Sequence, residues 1–191
     1  MDLSGFTPYD FPTDARPANV QDEFMNLTVE QIRDATEAGR SKMVSVCMNL
    51  TSDFNKASIV RSHSAFLGAE IFMVGKRKFD RRGTVGSHCY NDIYSSKELE
   101  PVIAALMNDG YTVVALDNNS DFECVPIYDV PLPSKTAFVY GEESCGLSNE
   151  ALELCDVVAY IPQFGAAPRS LNVASAASIA MSEYSRTHRT Y

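Results

Sequence analysis

Arg61 is the first residue whose setting suggests chemistry. It falls in a segment, Asn55 to Leu67, with helical spacing. Its helical neighbours at three and four residues are Ala57, Ser58, Ser64 and Ala65, all small. A guanidinium over such an open patch suits an anionic or ribose-phosphate ligand; from this helix alone, an ordinary surface arginine is the better reading. Three loops offer a place for a ligand: Leu116-Asp-Asn-Asn-Ser120, Gly141-Glu-Glu-Ser-Cys-Gly146, and the span from Ile161-Pro162 to Ser170-Leu-Asn172. Gly141 to Gly146 has the glycine spacing of a Walker A loop. Leu147 and Ser148 follow it, however, so the phosphate-binding lysine is missing, and no GxGxxG follows any strand. What remains is glycine-flanked backbone that can hydrogen-bond an adenine edge, with Ile161 and Leu171 packed on the ring. Read alone, Gly141 and Gly146 are better explained as turn residues. A basic run, Lys76-Arg-Lys-Phe-Asp-Arg-Arg82, holds five cations and one acid. It is either an RNA contact or a solvated loop.

The elements that must position these residues follow from periodicity. Thr28 to Gln31 fits a capping box, opening a helix to about Ala38 that stops at Gly39. Met43–Met48, Glu70–Val74, Tyr111–Leu116, Thr136–Tyr140 and Val157–Ile161 read as strands. Ser95-Ser-Lys-Glu98 reads as a capping box for a helix to about Asn108, and Ser148 as the cap of a short helix to Leu154. The last helix runs from Ser170, its expected cap, to about Arg186. Asn172, a poor helix former, falls in its first turn. Residues 1 to about 27 read as an extended arm. Alternation of strands and helices predicts an α/β fold, a mainly parallel sheet with helices on both faces. Ligands then bind beyond the carboxyl ends of the strands, where the three loops lie. The expected division is an N-terminal arm and helix over 1–40 and one domain over 41–191.

Composition narrows the functional classes. The chain has 191 residues and a formal net charge of −9, with the cations concentrated in the basic run. Nucleic-acid contact is therefore expected to be local rather than global. No apolar run approaches a membrane span, and the polar, acidic start does not resemble a secretory signal. A cytoplasmic protein is expected. Five cysteines without CxxC spacing and three scattered histidines predict reduced thiols and no metal site.

Taken together these segments resemble the SpoU/TrmH family of SPOUT methyltransferases. Asn55-Lys-Ala-Ser-Ile-Val-Arg61 matches its first motif. Val139-Tyr-Gly-Glu-Glu-Ser-Cys-Gly-Leu-Ser148 matches its second, with the glutamate at Glu143. Ile161-Pro162 and Ser170-Leu-Asn-Val173 match its third. The resemblance covers residue 43 to the C-terminus. It extends more loosely to Arg16-Pro-Ala-Asn-Val20 and the Arg77 to Gly86 loop.

The resemblance implies a C-terminal trefoil knot, a homodimer with active sites near its interface, and S-adenosylmethionine as cofactor. The adenine would be held at Gly141, Ile161 and Leu171, with Leu116 and its loop beneath. Arg61, Asn55, Glu143, Ser170 and Asn172 match the catalytic region. Lys76, Arg77, Lys78, Arg81, Arg82 and Arg169 would contact RNA. The implied reaction moves a methyl group to a ribose 2′-hydroxyl of RNA, with tRNA favoured over rRNA. That hydroxyl must be aligned and relieved of its proton. The family assigns the relief to the arginine; a guanidinium can instead position a phosphate and stabilise the forming alkoxide. One departure stands out: the span from Ile161-Pro162 to Ser170 is one residue longer than the family pattern. This departure and the acidic net charge motivate an alternative, a non-catalytic dimeric RNA-binding protein on the same fold.

Overall fold

In a computed structural model that describes residues 1–12, 19–167 and 170–189, the five expected strands and three further ones form one eight-stranded sheet. In chain order the strands are β1 (Thr7–Pro8), β2 (Val44–Met48), β3 (Glu70–Val74), β4 (Asp92–Ser96), β5 (Thr112–Leu116), β6 (Cys124–Pro126), β7 (Thr136–Tyr140) and β8 (Val157–Tyr160). Their spatial order is β1-β4-β3-β2-β7-β5-β8-β6. Every pairing is parallel except that of β1 with β4. The expected fold class, a mainly parallel α/β sheet, is the one observed.

The helices are α1 (Val29–Glu37), α2 (Asp53–Ala65), α3 (Glu100–Asn108), α4 (Asn149–Glu153) and α5 (Val173–His188). Successive strand side chains point to opposite faces, and both faces are covered. Cys47, Ile71, Met73, Phe138 and Tyr140 pack with Ile59 and Val60 of α2 and with Ala177, Met181 and Tyr184 of α5. Val44, Val46, Phe72, Val74 and Val139 pack with Val102, Ile103 and Leu106 of α3 and with Ala151 and Leu152 of α4. Burial on both faces explains why β2 reads as a mostly apolar run, broken only by Ser45, instead of an alternation.

α2 and α5 lie against each other, with Ser62 Oγ 2.8 Å from Ser178 Oγ. Small residues on both helices permit this approach. His63, on the inner face of α2, is wholly buried and bonds Ser45 Oγ of β2 at 2.9 Å through Nδ1. Burial pushes its imidazole down to about 4, so it is neutral.

Local signals held in some places and failed in others. The capping box at Thr28 is present in both directions: Gln31 N donates to Thr28 Oγ1, and Thr28 N donates to Gln31 Oε1. The one expected at Ser95 to Glu98 is absent. Ser95 and Ser96 end β4, and Ser96 Oγ makes only a local turn with Glu98. α3 instead starts at Glu100 with Pro101 in its first turn, where a missing N–H costs nothing. β4 carried almost no apolar signal, because only Ile93 in it is buried. It forms because the edge of β3 has to be paired. α2 begins two residues before the expected start, capped by Ser52, whose side chain accepts from Asn55 N.

The start of α5 is also corrected. Its cap is Asn172, not Ser170; Asn172 Oδ1 accepts from Ala174 N and Ser175 N. Asn172 therefore lies before the helix, where its short amide satisfies orphan N–H groups. The N-terminal segment adds β1 to the sheet and sets Phe6 edge-on against Phe72.

Candidate active site

Because β7 lies between β2 and β5, the loop after β7 meets the loops of both neighbours at the carboxyl edge. On one side Glu143 reaches the start of α2. Its Oε2 accepts from Thr51 N and Thr51 Oγ1, both at 3.0 Å. Its Oε1 accepts from Ser52 N at 3.1 Å and from Asn55 Nδ2 at 2.9 Å. On the other side Asp117, just past β5, accepts from Leu147 N at 2.8 Å.

The asparagines complete a directed chain. Asn172 Oδ1 is used as the cap of α5, so its amide nitrogen is left to donate to Asn55 Oδ1, at 3.0 Å. Asn55 must then donate through its own nitrogen, and it does so to Glu143. Each amide has one orientation that satisfies the whole chain. Asn55 is only 8% exposed, so a broken link there would leave a buried polar group unpaired. Burial would raise the Glu143 carboxyl. The hydrogen bonds from Asn55 and Thr51 outweigh it and hold the group at about 2. The carboxylate is ionised at neutral pH and is a weak base. Its position at the N-terminus of α2 favours the same state.

A cavity of about 670 Å³ opens beside this chain. All three loops line it, through residues that include Leu116, Gly141, Glu143, Ile161, Ser170, Leu171 and Asn172. Two glycines are required by close approach. A Cβ on Gly141 would sit 2.4 Å from the Gly146 carbonyl carbon, and one on Gly146, at φ +72°, would sit 2.5 Å from Asp117 Oδ2. Glu142 and Gly146 exchange backbone hydrogen bonds across the loop. The turn is thus closed on itself and differs from an anion-cradling loop. The lining contains three carboxylates, Asp117, Glu142 and Glu143, and among the described residues no lysine or arginine.

Those of the remaining expected site residues that are described lie outside the cavity lining. Arg61 is exposed on α2, six residues beyond Asn55. It does not line the cavity and makes no side-chain hydrogen bond or ion pair among the described residues. The basic run follows β3, next to β2, and so lies against the start of α2. Arg77 is engaged there: it donates to Pro8 O and stands 4.5 Å over the Tyr9 ring. Arg82 is paired with Asp80 at 2.7 Å. Lys76, Lys78 and Arg81 are exposed. Arg169 lies outside the described residues, as do Arg16 and Pro17. Metal-ligating clusters are absent among the described residues.

Thr51, Ser52 and Asp117 hold the site together, yet no motif spacing marks their roles. Asp117 lay in a loop already singled out. Thr51 and Ser52 could be found only by knowing that β7 packs beside β2. Lys56 was also missed: it is 2% exposed, and its Nζ donates to Lys78 O at 2.5 Å.

Comparison with known proteins agrees with the motifs. Residues 42–182 match the SpoU rRNA Methylase family. A Mycolicibacterium gilvum protein described as an uncharacterized tRNA/rRNA methyltransferase is 27% identical over 163 residues, 83% of this chain and 51% of that protein. The tRNA (guanosine(18)-2′-O)-methyltransferase of Aquifex aeolicus is 28% identical over 164 residues, 83% of this chain and 75% of that enzyme. The chain thus spans about half of one curated relative and three quarters of the other. Among solved structures, the TrmH/SpoU tRNA-modifying enzyme of A. aeolicus superposes with a TM-score of 0.74 at 27% identity, covering 83% of this chain and 81% of that one. The SpoU methyltransferase AviRb of Streptomyces viridochromogenes, in complex with AdoMet, gives 0.67 at 28% identity, covering 78% and 61%.

Proposed function

Since the chain belongs to the SpoU rRNA Methylase family, we propose that it transfers the methyl group of S-adenosylmethionine to a ribose 2′-hydroxyl of RNA. The RNA is tRNA in preference to rRNA, and the protein acts as a cytoplasmic homodimer with the family's C-terminal trefoil knot. One observation carries the reading: Asn172, Asn55 and Glu143, one from each motif, are joined in a single hydrogen-bonded chain beside a cavity of cofactor size. The named activities of the relatives support the tRNA preference. Among the described residues no helix is long and apolar enough to cross a membrane.

The cavity suits the cofactor. Its three carboxylates and lack of a lining cation among the described residues disfavour a polyphosphate and favour a ligand bearing positive charge. Main chain at Gly141, Ile161 and Leu171 would hold the adenine, with Leu116 and the loop after it beneath. The bound cofactor supplies an activated methyl group. The cavity is present with Ile161, Gln163 and Ser170 among its lining residues, and this supports the catalytic reading over the non-catalytic alternative.

The protein's share of the work is alignment and charge. Glu143 is saturated by four hydrogen bonds and is no proton acceptor; it is a positioning residue that fixes Asn55 and the start of α2. Asn55 in turn fixes Asn172 at the mouth of the cavity. Ser170 and Asn172 orient the ribose. Arg61 contacts the RNA next to the reacting hydroxyl and stabilises the negative charge that grows on its oxygen. Lys76, Lys78, Arg81 and Arg82 hold phosphates, together with Arg169, while Arg77 braces the loop.

The test is methyl transfer from labelled S-adenosylmethionine to unmodified tRNA and rRNA, with digestion to nucleosides and mass spectrometry. The expected result is label in a 2′-O-methylnucleoside of the tRNA fraction. Label on a base would overturn the ribose assignment. Absence of both label and cofactor binding would hand the fold to the RNA-binding alternative.

A further inference from the structure

Phe54 is left unexplained by the cavity and by the hydrogen-bonded chain. It stands in the first turn of α2, immediately before Asn55, and is 69% exposed. Steps of four, three and four residues put Phe54, Ser58, Arg61 and Ala65 on one stripe of the helix. Phe54, Arg61 and Ala65 are all exposed. Phe54 and Arg61 are two turns apart, about 10 Å along the axis.

The basic loop is fixed beside this stripe. Lys56, two residues after Phe54 and buried, anchors the loop through the Lys78 carbonyl. Gly83 lies so close to α2 that a Cβ there would come within 2.8 Å of Ala57 Cβ, with the Phe54 ring 3.7 Å away. An exposed ring is therefore held between a cationic loop and a solvent-facing arginine.

We propose that Phe54 is a stacking platform for an unpaired nucleobase of the RNA substrate, set on the same face of α2 as Arg61 and flanked by the basic loop. The proposal rests on the RNA methyltransferase reading and names a contact within it. Unpaired bases are bound by stacking on aromatic rings while neighbouring cations take the phosphates, and both parts are present here. A second copy of the chain is a poorer occupant. Docking this patch on itself across a twofold axis would bring two sets of Arg61 and Arg81 together with no carboxylate of the stripe between them.

The chain has no tryptophan, so Phe54→Trp supplies a single fluorophore at the site. With unmodified tRNA transcript as the probe, emission from Phe54→Trp should be quenched in a saturable manner, and S-adenosylmethionine alone should leave it nearly unchanged. Phe54→Ala should raise the KM for that transcript roughly tenfold or more. Its affinity for S-adenosylmethionine and its urea midpoint should stay at the wild-type values. An unchanged KM in Phe54→Ala together with silent fluorescence in Phe54→Trp would overturn the proposal. A smaller sedimenting species in Phe54→Ala would then assign the ring to a contact between copies. Quenching by tRNA in a protein whose wild type transfers no methyl group would remove the catalytic reading and leave the stacking site standing.

Discussion

At the carboxyl ends of β5, β7 and β8 the chain gathers carboxylates and amides that are bonded to one another. At the carboxyl end of β3, on the same edge of the same sheet, it gathers cations that mostly face solvent. In the first region Glu143, Asn55 and Asn172 have their hydrogen-bonding capacity largely spent inside the protein. In the second, Lys76, Lys78 and Arg81 are exposed, and among the described residues Arg77 and Arg82 have side-chain partners. The difference matches two ligands of opposite charge. A small cofactor carrying positive charge needs a fixed pocket with negative walls. A polyanion needs cations still free to release counterions. A net charge of −9 is compatible with RNA contact because the two populations are segregated. Helix α2 is the element they share: Asn55 is bonded into the first region, and Ala57 and Phe54 lie against Gly83 of the second.

The sharpest way to break this comparison is at Arg61, which belongs to neither cluster. Arg61→Ala should lower methyl transfer by about 10²- to 10³-fold, as removal of a transition-state donor does. Calorimetry should find its cofactor affinity nearly unchanged. An equal loss of cofactor binding would place Arg61 in the first region after all.

The next effect concerns the helix that joins the regions. The pKa of His63 falls from an ordinary 6.5 to about 4 on folding, because of burial. An imidazole kept neutral in the fold contributes stability that is fully present above pH 6.5. That stability is lost as pH falls toward 4, where the unfolded chain takes up the proton first. The shift corresponds to about 3 kcal/mol. Urea midpoints measured between pH 7 and pH 4 should fall accordingly, and His63→Gln should flatten the dependence. The Glu143 carboxyl adds a second, lower window, with stability present above 4.5 and lost toward 2.

Glu143→Gln tests the bonded region by itself. The variant keeps the volume but offers Asn55 one acceptor in place of a charged pair. A fall of roughly tenfold in kcat is expected, with little change in the KM for RNA. A change confined to the KM for RNA would show that the chain of amides serves the second region. The smallest effect belongs to the loop cations. Lys78→Ala with Arg81→Ala should reduce the slope of log affinity against log salt by about 1.5, at roughly 0.7 to 0.9 for each phosphate contact. An unchanged slope would remove these two residues from the RNA surface.

How far the sequence could be read differs between the two regions as well. The basic loop was legible as a run of charges, and its cations are where a run of charges belongs. The Thr28 capping box was legible because both of its hydrogen bonds are local. The same pattern at Ser95 failed because a distant strand, β3, claimed those residues for β4. Ser170 was misjudged as a cap because Asn172, two residues on, competes for the same backbone donors and has the geometry to win.

By itself the sequence determined the parallel α/β class, the three motif loops, the missing Walker lysine and the segregation of charge. Each of these depends on residue types within a few positions of one another. Tertiary structure alone decided that β7 lies between β2 and β5. From that placement follow the four bonds on Glu143 and the single orientation of the two asparagines; the pairing of β3 with β2 likewise brings the basic loop to the buried Lys56 of α2. The physical reason is that these contacts join residues as much as 117 positions apart, as Asn172 and Asn55 are. A hydrogen bond over that separation leaves no periodicity in the chain, and it forms only once strand order has brought its partners to one edge.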